Sequence, residues 1–187
     1  MKSKAKQTRE IPKIDTLSDT REILAHAREQ ARERNYQDYV IVDIDSHHTE
    51  SASWKEVVEF IEDPVVRTEA KDYHNRVVSP AYGLNDPISF QQEVGGRIAH
   101  QLGWQEPIEE TDVPRDVVKV RRAMASMGID YMIVFPTRML HLGMHPQTRL
   151  EALLARAYNR WLVDRVLKED KRIKSMLYLP FSEPDAA

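Results

Sequence analysis

Cysteine is absent from the chain, which excludes disulfides, thiolate metal sites and a cysteine nucleophile. That absence is also compatible with a cytosolic (cytoplasmic) setting. Long apolar runs are missing: nothing approaches the roughly 20 apolar residues that span a bilayer, and the basic start MKSKAKQTREIPK has no apolar stretch behind it to make a signal peptide. Neither charge sign dominates. The 27 Lys and Arg against 30 Asp and Glu leave a net charge of −3, with the two signs interspersed, so no global field draws the chain to nucleic acid or an anionic membrane. Glycine-rich phosphate loops, a P-loop and a G-x-S-x-G elbow are lacking as well, and Gly95-Gly96 falls inside a helical pattern, where it marks a bend or close packing. These exclusions leave a small-molecule substrate as the expectation, with no nucleic-acid or membrane partner. The 187 residues suffice for one domain with a real core.

The patterns that are present alternate between helix and strand. Residues 1–17 read as a solvated, disordered leader and 18–187 as the folded part. Ser18, Asp19 and Glu22 offer a cap and an acidic first turn for a peripheral helix carrying Ile23, Leu24, Ala27 and Ala31 and ending near Asn35. Tyr39-Val40-Ile41-Val42 is short, apolar and β-branched, the signature of a buried strand. From about 53 to 112 the pattern is helical but broken at Pro64, Pro80, Pro87 and Pro107, with Trp54, Val57, Val58 and Ile61 on one face and Phe90, Val94 and Ile98 on another; it reads as a helical insertion. A helix from Pro114 to Met127 closes at Gly128, and Tyr131 to Phe135 forms a second strand stopped by Pro136. A long helix spans about Pro146 to Lys168, and Ile173 to Leu179 makes a third strand ended by Pro180. Strands separated by helices imply an α/β fold with about three parallel strands, and their continuous apolar runs imply burial.

Chemistry concentrates in VDIDSHHTES, Val42 to Ser51, after the first strand. In parallel α/β folds ligands gather at the C-terminal ends of strands. On an extended backbone residues i and i+2 share a face, so Asp45 and His47 converge while Ser46 and His48 point away. A carboxylate beside an imidazole suits Zn²⁺, Mn²⁺ or Fe²⁺ better than Ca²⁺; the plainer reading is a polar loop bonded to its own backbone. Glu50 joins such a site if the loop curls back, and otherwise caps a helix or stays solvated. Asp43 shares the face of the pair at greater depth, and His48 is expected to pack.

The stretch V-D-I-D-S-H-H-T-E resembles the first-strand signature of the amidohydrolase-related family, whose members are metal-dependent hydrolases and decarboxylases on a distorted (β/α)₈ barrel. The order of RRAMASMGIDYMIVFPT, ARAYNRWL and RIKSMLYLPFSEPDAA extends the resemblance over most of the chain from Tyr39 onward. It implies that Asp45 and His47 occupy the family's first two metal-ligand positions, usually H-x-H. The aspartate in place of the first histidine implies a weaker single-metal site, a preference for harder ions, or a dimetal variant. The fold implied is part of a TIM-barrel-like (β/α)₈ domain with a helical insertion after its first strand. A complete barrel takes 200 or more residues, so the expectation is an N-terminal portion, with a missing C-terminal part or a partner chain in a hetero-oligomer completing it. SEPDAA, which starts a helix and stops, agrees with that expectation, against the alternative of a natural terminus that frays.

Of the remaining histidines, His141 and His145 follow the second strand in PTRMLHLGMHPQ, at the same end of the sheet as the motif. Either is placed to contact substrate or to protonate a leaving group near neutral pH, and of the two His141 is the candidate catalytic residue. His74 and His100 lie on the insertion and His26 on a helix face; each is read as a surface or packed residue. The Arg121-Arg122 and Lys168 to Lys174 clusters are read as solvated charge.

Overall fold

The computed structural model describes residues 19–48, 50–73, 108, 112–137, 139–144 and 147–186. The leader, the second half of the insertion with Phe90, Val94 and Ile98, and His74, His100 and His145 lie outside the described residues. Helix α1, Thr20–Glu33, starts where Asp19 accepts the Arg21 amide at 2.8 Å. It ends before Asn35, which adopts the left-handed conformation (φ 55°) that asparagine tolerates better than most residues. Strand β1, Val42–His48, is followed by a 3₁₀ turn at Glu50–Ser53, the short α2 at Trp54–Val57 and a 3₁₀ turn at Val58–Phe60. Helix α3 covers Pro64–Tyr73, α4 Arg115–Met127, and β2 Tyr131–Pro136. A 3₁₀ segment at Met139–Met144 leads to α5, Thr148–Trp161, which continues as a π-helical turn at Leu162–Leu167, and β3 is Ile173–Lys174. The result is mixed α/β, with a parallel sheet of order β1-β2-β3 and five α-helices among the described residues.

The helix ends follow the sequence closely. Pro114 sits just outside α4 as its cap, and Gly128 closes it at φ 71° with its amide returning to the Met124 carbonyl. A side chain at Gly128 would meet nothing within 4 Å, so only the left-handed backbone calls for glycine there.

The strands differ from the sequence expectation at both edges of the sheet. β1 begins three residues late, leaving Tyr39 and Val40 largely exposed, because pairing starts only where the Asp130 carboxylate holds the Ile41 amide at 2.8 Å. It then runs through the polar motif instead of ending before it: Ser46, His47 and His48 pair with Val134, Phe135 and Pro136, and ladder hydrogen bonding overrides their polarity. β3 shrinks to two residues. Beyond it, side chains replace the ladder: Asn159 holds both the carbonyl and the amide of Tyr178 at 2.8 Å, and Ser175 Oγ donates to the Val134 carbonyl at 2.7 Å.

One side of the sheet carries the core. Met132, Val134 and Ile173 pack with Val117, Val120 and Met124 of α4, with Leu154, Tyr158 and Trp161 of α5, and with Trp54, Val57 and Ile61 beyond β1. The other side leaves Val42, Ile44 and Tyr131 exposed. Strands buried on both faces were the expectation; among the described residues the helices cover one.

Candidate metal-ligand pair and the buried network behind it

The motif does not alternate regularly. Asp43 pairs with Met132 and Ser46 with Val134, so β1 spends one extra residue between them, a bulge that reverses the alternation. The register therefore sets Asp43 beside the buried Met132, and His47 beside the half-buried Phe135 on the other face. Asp43 and His47 were expected on one face; the bulge separates them. Asp43 instead accepts the Asp45 amide at 3.0 Å, holding the backbone of the bulge.

Asp45 and His47 do come together. The His47 Nε2 to Asp45 Oδ1 distance is 3.9 Å, with the aspartate side chain 89% exposed and the imidazole 39%. His47 Nδ1 lies 3.1 Å from the Pro136 carbonyl oxygen. A carbonyl can only accept, so Nδ1 carries the hydrogen, and in the neutral ring Nε2 keeps the lone pair that faces Asp45. The ring sits 6.1 Å from that of Phe135, which limits its swing. Carboxylate oxygen and imidazole nitrogen are both ligands for Zn²⁺, Mn²⁺ or Fe²⁺, so the donor set fits such an ion as a half-site. Among the described residues no group of three or more His, Cys, Asp or Glu is placed to hold a metal.

Glu50 lies elsewhere. It is 1% exposed, and its two oxygens accept the Thr137 amide at 2.9 Å and the Met139 amide at 2.6 Å. The loop leaving β2 is thereby bound to the turn leaving β1. Thr137 Oγ1 completes the tie, donating to the His48 carbonyl at 2.7 Å. The backbone of His141 belongs to the 3₁₀ segment Met139–Met144 at that same end of the sheet. His26 faces Gln30 on exposed α1, as a helix-surface residue does.

His48 turns toward the helices and anchors a network that the sequence did not announce. Its Nδ1 donates to Asp116 at 3.0 Å, its Nε2 meets the Tyr158 hydroxyl at 2.8 Å, and its ring stacks on Trp161 at 5.8 Å and 12°. Ser53 Oγ donates to the second oxygen of Asp116. Burial, and then the negative charges of Glu50 and Asp116, push the Tyr158 hydroxyl well above the ordinary phenol range, so it stays a donor. Asp116 lies in the first turn of α4, where an acidic residue draws no notice. Tyr158 was the better clue, since a tyrosine on an otherwise apolar helix face needs a partner for its hydroxyl.

No family model matches the chain, and no curated protein matches it. Among the described residues no helix is long and apolar enough to cross a membrane.

Proposed function

We propose that this chain is part of a divalent-metal-dependent enzyme of the amidohydrolase-related kind, with Asp45 and His47 contributing half of the metal site. Its chemistry is hydrolysis or non-oxidative decarboxylation of a small carboxylate. The observation that carries the reading is the position of the pair: on the uncovered face of a parallel sheet, at a strand's C-terminal end, with the lone pair of His47 Nε2 facing the Asp45 carboxylate. When bound, the ion supplies Lewis acidity, which activates water in a hydrolase and orients the substrate in a decarboxylase. The protein's own part is to hold the two donors, and His141, on the loop after β2, is the candidate proton donor to a leaving group. The exposed apolar residues Val42, Ile44 and Tyr131 on that same face support a barrel-like arrangement in which further strands, of this protein or a partner chain, cover the pair and bring the remaining ligands.

Metal analysis of the complex in which this chain and the part that completes it are purified together with Zn²⁺, Mn²⁺ or Fe²⁺, beside His47→Ala and Asp45→Ala, tests this directly. Bound metal should fall in both variants, and unchanged content would remove the pair as ligands. A second reading, a non-catalytic subunit that docks on a catalytic homologue, draws on the exposed Val40, Met176, Leu177 and Leu179. Activity that appears only on mixing with a partner favours the split enzyme, and activity of the partner alone favours the scaffold.

A further inference from the structure

The peptide group between Pro136 and Thr137 is engaged at both ends. Its N–H donates to Glu50 Oε2 at 2.9 Å, and its C=O accepts the Nδ1 hydrogen of His47 at 3.1 Å. Since a trans peptide directs its N–H and C=O in opposite directions, the carboxylate and the imidazole stand on either side of one rigid, polarisable unit. The carboxylate is 1% exposed, which keeps water from screening it, and its other oxygen is fixed by the Met139 amide at 2.6 Å. We propose that Glu50 is a positioning residue for His47: its negative charge, transmitted through the Pro136–Thr137 peptide, holds the imidazole in the Nδ1–H tautomer and keeps the Nε2 lone pair facing Asp45.

Glu50, the peptide and His47 form a hydrogen-bond chain. A charge-assisted bond at the amide end draws density toward the carbonyl, and such chains strengthen each member by about 10–30%. A stronger acceptor at Pro136 fixes which imidazole nitrogen carries the hydrogen and so which one presents its lone pair, the service that a carboxylate in direct contact gives to many metal-binding histidines. Here the carboxylate does so from behind a peptide. The proposal explains why a glutamate three residues past the pair is buried away from it: its charge is used where it lies. The consequence for metal affinity rests on the reading of His47 as a ligand, whereas the tautomer does not.

The test uses the full 187-residue chain in metal-free solution, with long-range nitrogen–proton correlation spectra of the imidazoles. In the wild type the neutral His47 ring should be predominantly Nδ1–H. In Glu50→Gln the ratio of Nδ1–H to Nε2–H should fall several-fold, while the circular dichroism and the His48 ring signals stay unchanged. Zn²⁺ should then bind about 10- to 100-fold more weakly. Thr137→Val, which keeps the amide but loses the hydroxyl bond to His48, should leave the ratio as it was. A folded Glu50→Gln with the wild-type ratio overturns the proposal and leaves Glu50 as a cap of the 3₁₀ segment. If Glu50→Gln does not fold, the wild type decides: an Nε2–H ring, or a Thr137 amide that exchanges freely with solvent, overturns it, while an Nδ1–H ring with a protected amide supports it. A wild type that shows the tautomer and loses it on substitution supports the relay, and failure to bind Zn²⁺ even when the part that completes the site is present removes the metal reading.

Discussion

His47 and His48 are adjacent, yet the two rings have opposite surroundings. His47 stands on the uncovered face beside an exposed carboxylate, with one bond to a carbonyl that sets its tautomer. His48 lies on the helix side, 6% exposed, bonded at both nitrogens and stacked on Trp161. The contrast shows that a cluster of polar residues in sequence need not be one site. A strand divides such a cluster, sending one set to the open face and the other into the joint that holds the strand in place. The carboxylates divide the same way. Asp45 is free to meet a ligand, whereas Glu50 and Asp116 are consumed by backbone amides and by side-chain donors.

If that division is right, substitutions on the buried side cost stability and those on the open side cost binding. The largest effect is expected for Asp116→Ala, which leaves His48 and Ser53 without their acceptor inside the core. Removing one member of such a buried pair costs on the order of 3–5 kcal/mol, to be read from urea unfolding midpoints. Tyr158→Phe should cost less, about 1–3 kcal/mol, because only the donor to His48 Nε2 is lost. It should also change the alkaline limb of stability. With the folded hydroxyl pushed above the unfolded range, Tyr158 contributes stability that is present below about pH 10 and lost as pH rises beyond it; the variant should lack that loss.

At the opposite end of the sheet Asp170, 8% exposed, accepts from Arg172 and Arg121 at 2.8 Å each, and these guanidiniums hold its carboxyl well below the usual range. Its stabilisation is present above about pH 4 and lost as pH falls below it. Asp170→Asn should therefore lose about 1–2 kcal/mol at neutral pH and show a flatter acid limb in pH-dependent unfolding. The smallest effect on stability is expected for His47→Ala, within about 0.5 kcal/mol, together with the loss of bound metal. A large loss of stability in that variant would erase the distinction between the two faces.

Much of the frame was legible from local pattern. The N-terminal cap at Asp19, the glycine close of α4, the strand at Tyr131 and the parallel α/β order all follow from caps, periodicity and turn residues. The approach of Asp45 to His47 was legible as well, since two-residue spacing on an extended backbone requires no knowledge of neighbours. Other features resisted. β3 was overestimated because an apolar run does not reveal that Asn159 will take the backbone groups a ladder would otherwise hold. Asp43 was assigned to the wrong face because alternation assumes no bulge, and the bulge arises only when β1 is laid against β2.

By itself the sequence determined the order of helices and strands among the described residues, though not the bounds of β1 and β3, and that one aspartate and one histidine share a face at a strand's C-terminal end. Those are properties of a few neighbouring residues. Only the tertiary structure decided what became of the other polar groups. The partners of His48 come from positions 68 and 110 residues away, and those of Glu50 from 87 and 89. Whether a buried charge becomes a ligand, a cap or a relay depends on which donors reach it, and packing alone brings donors from so far along the chain.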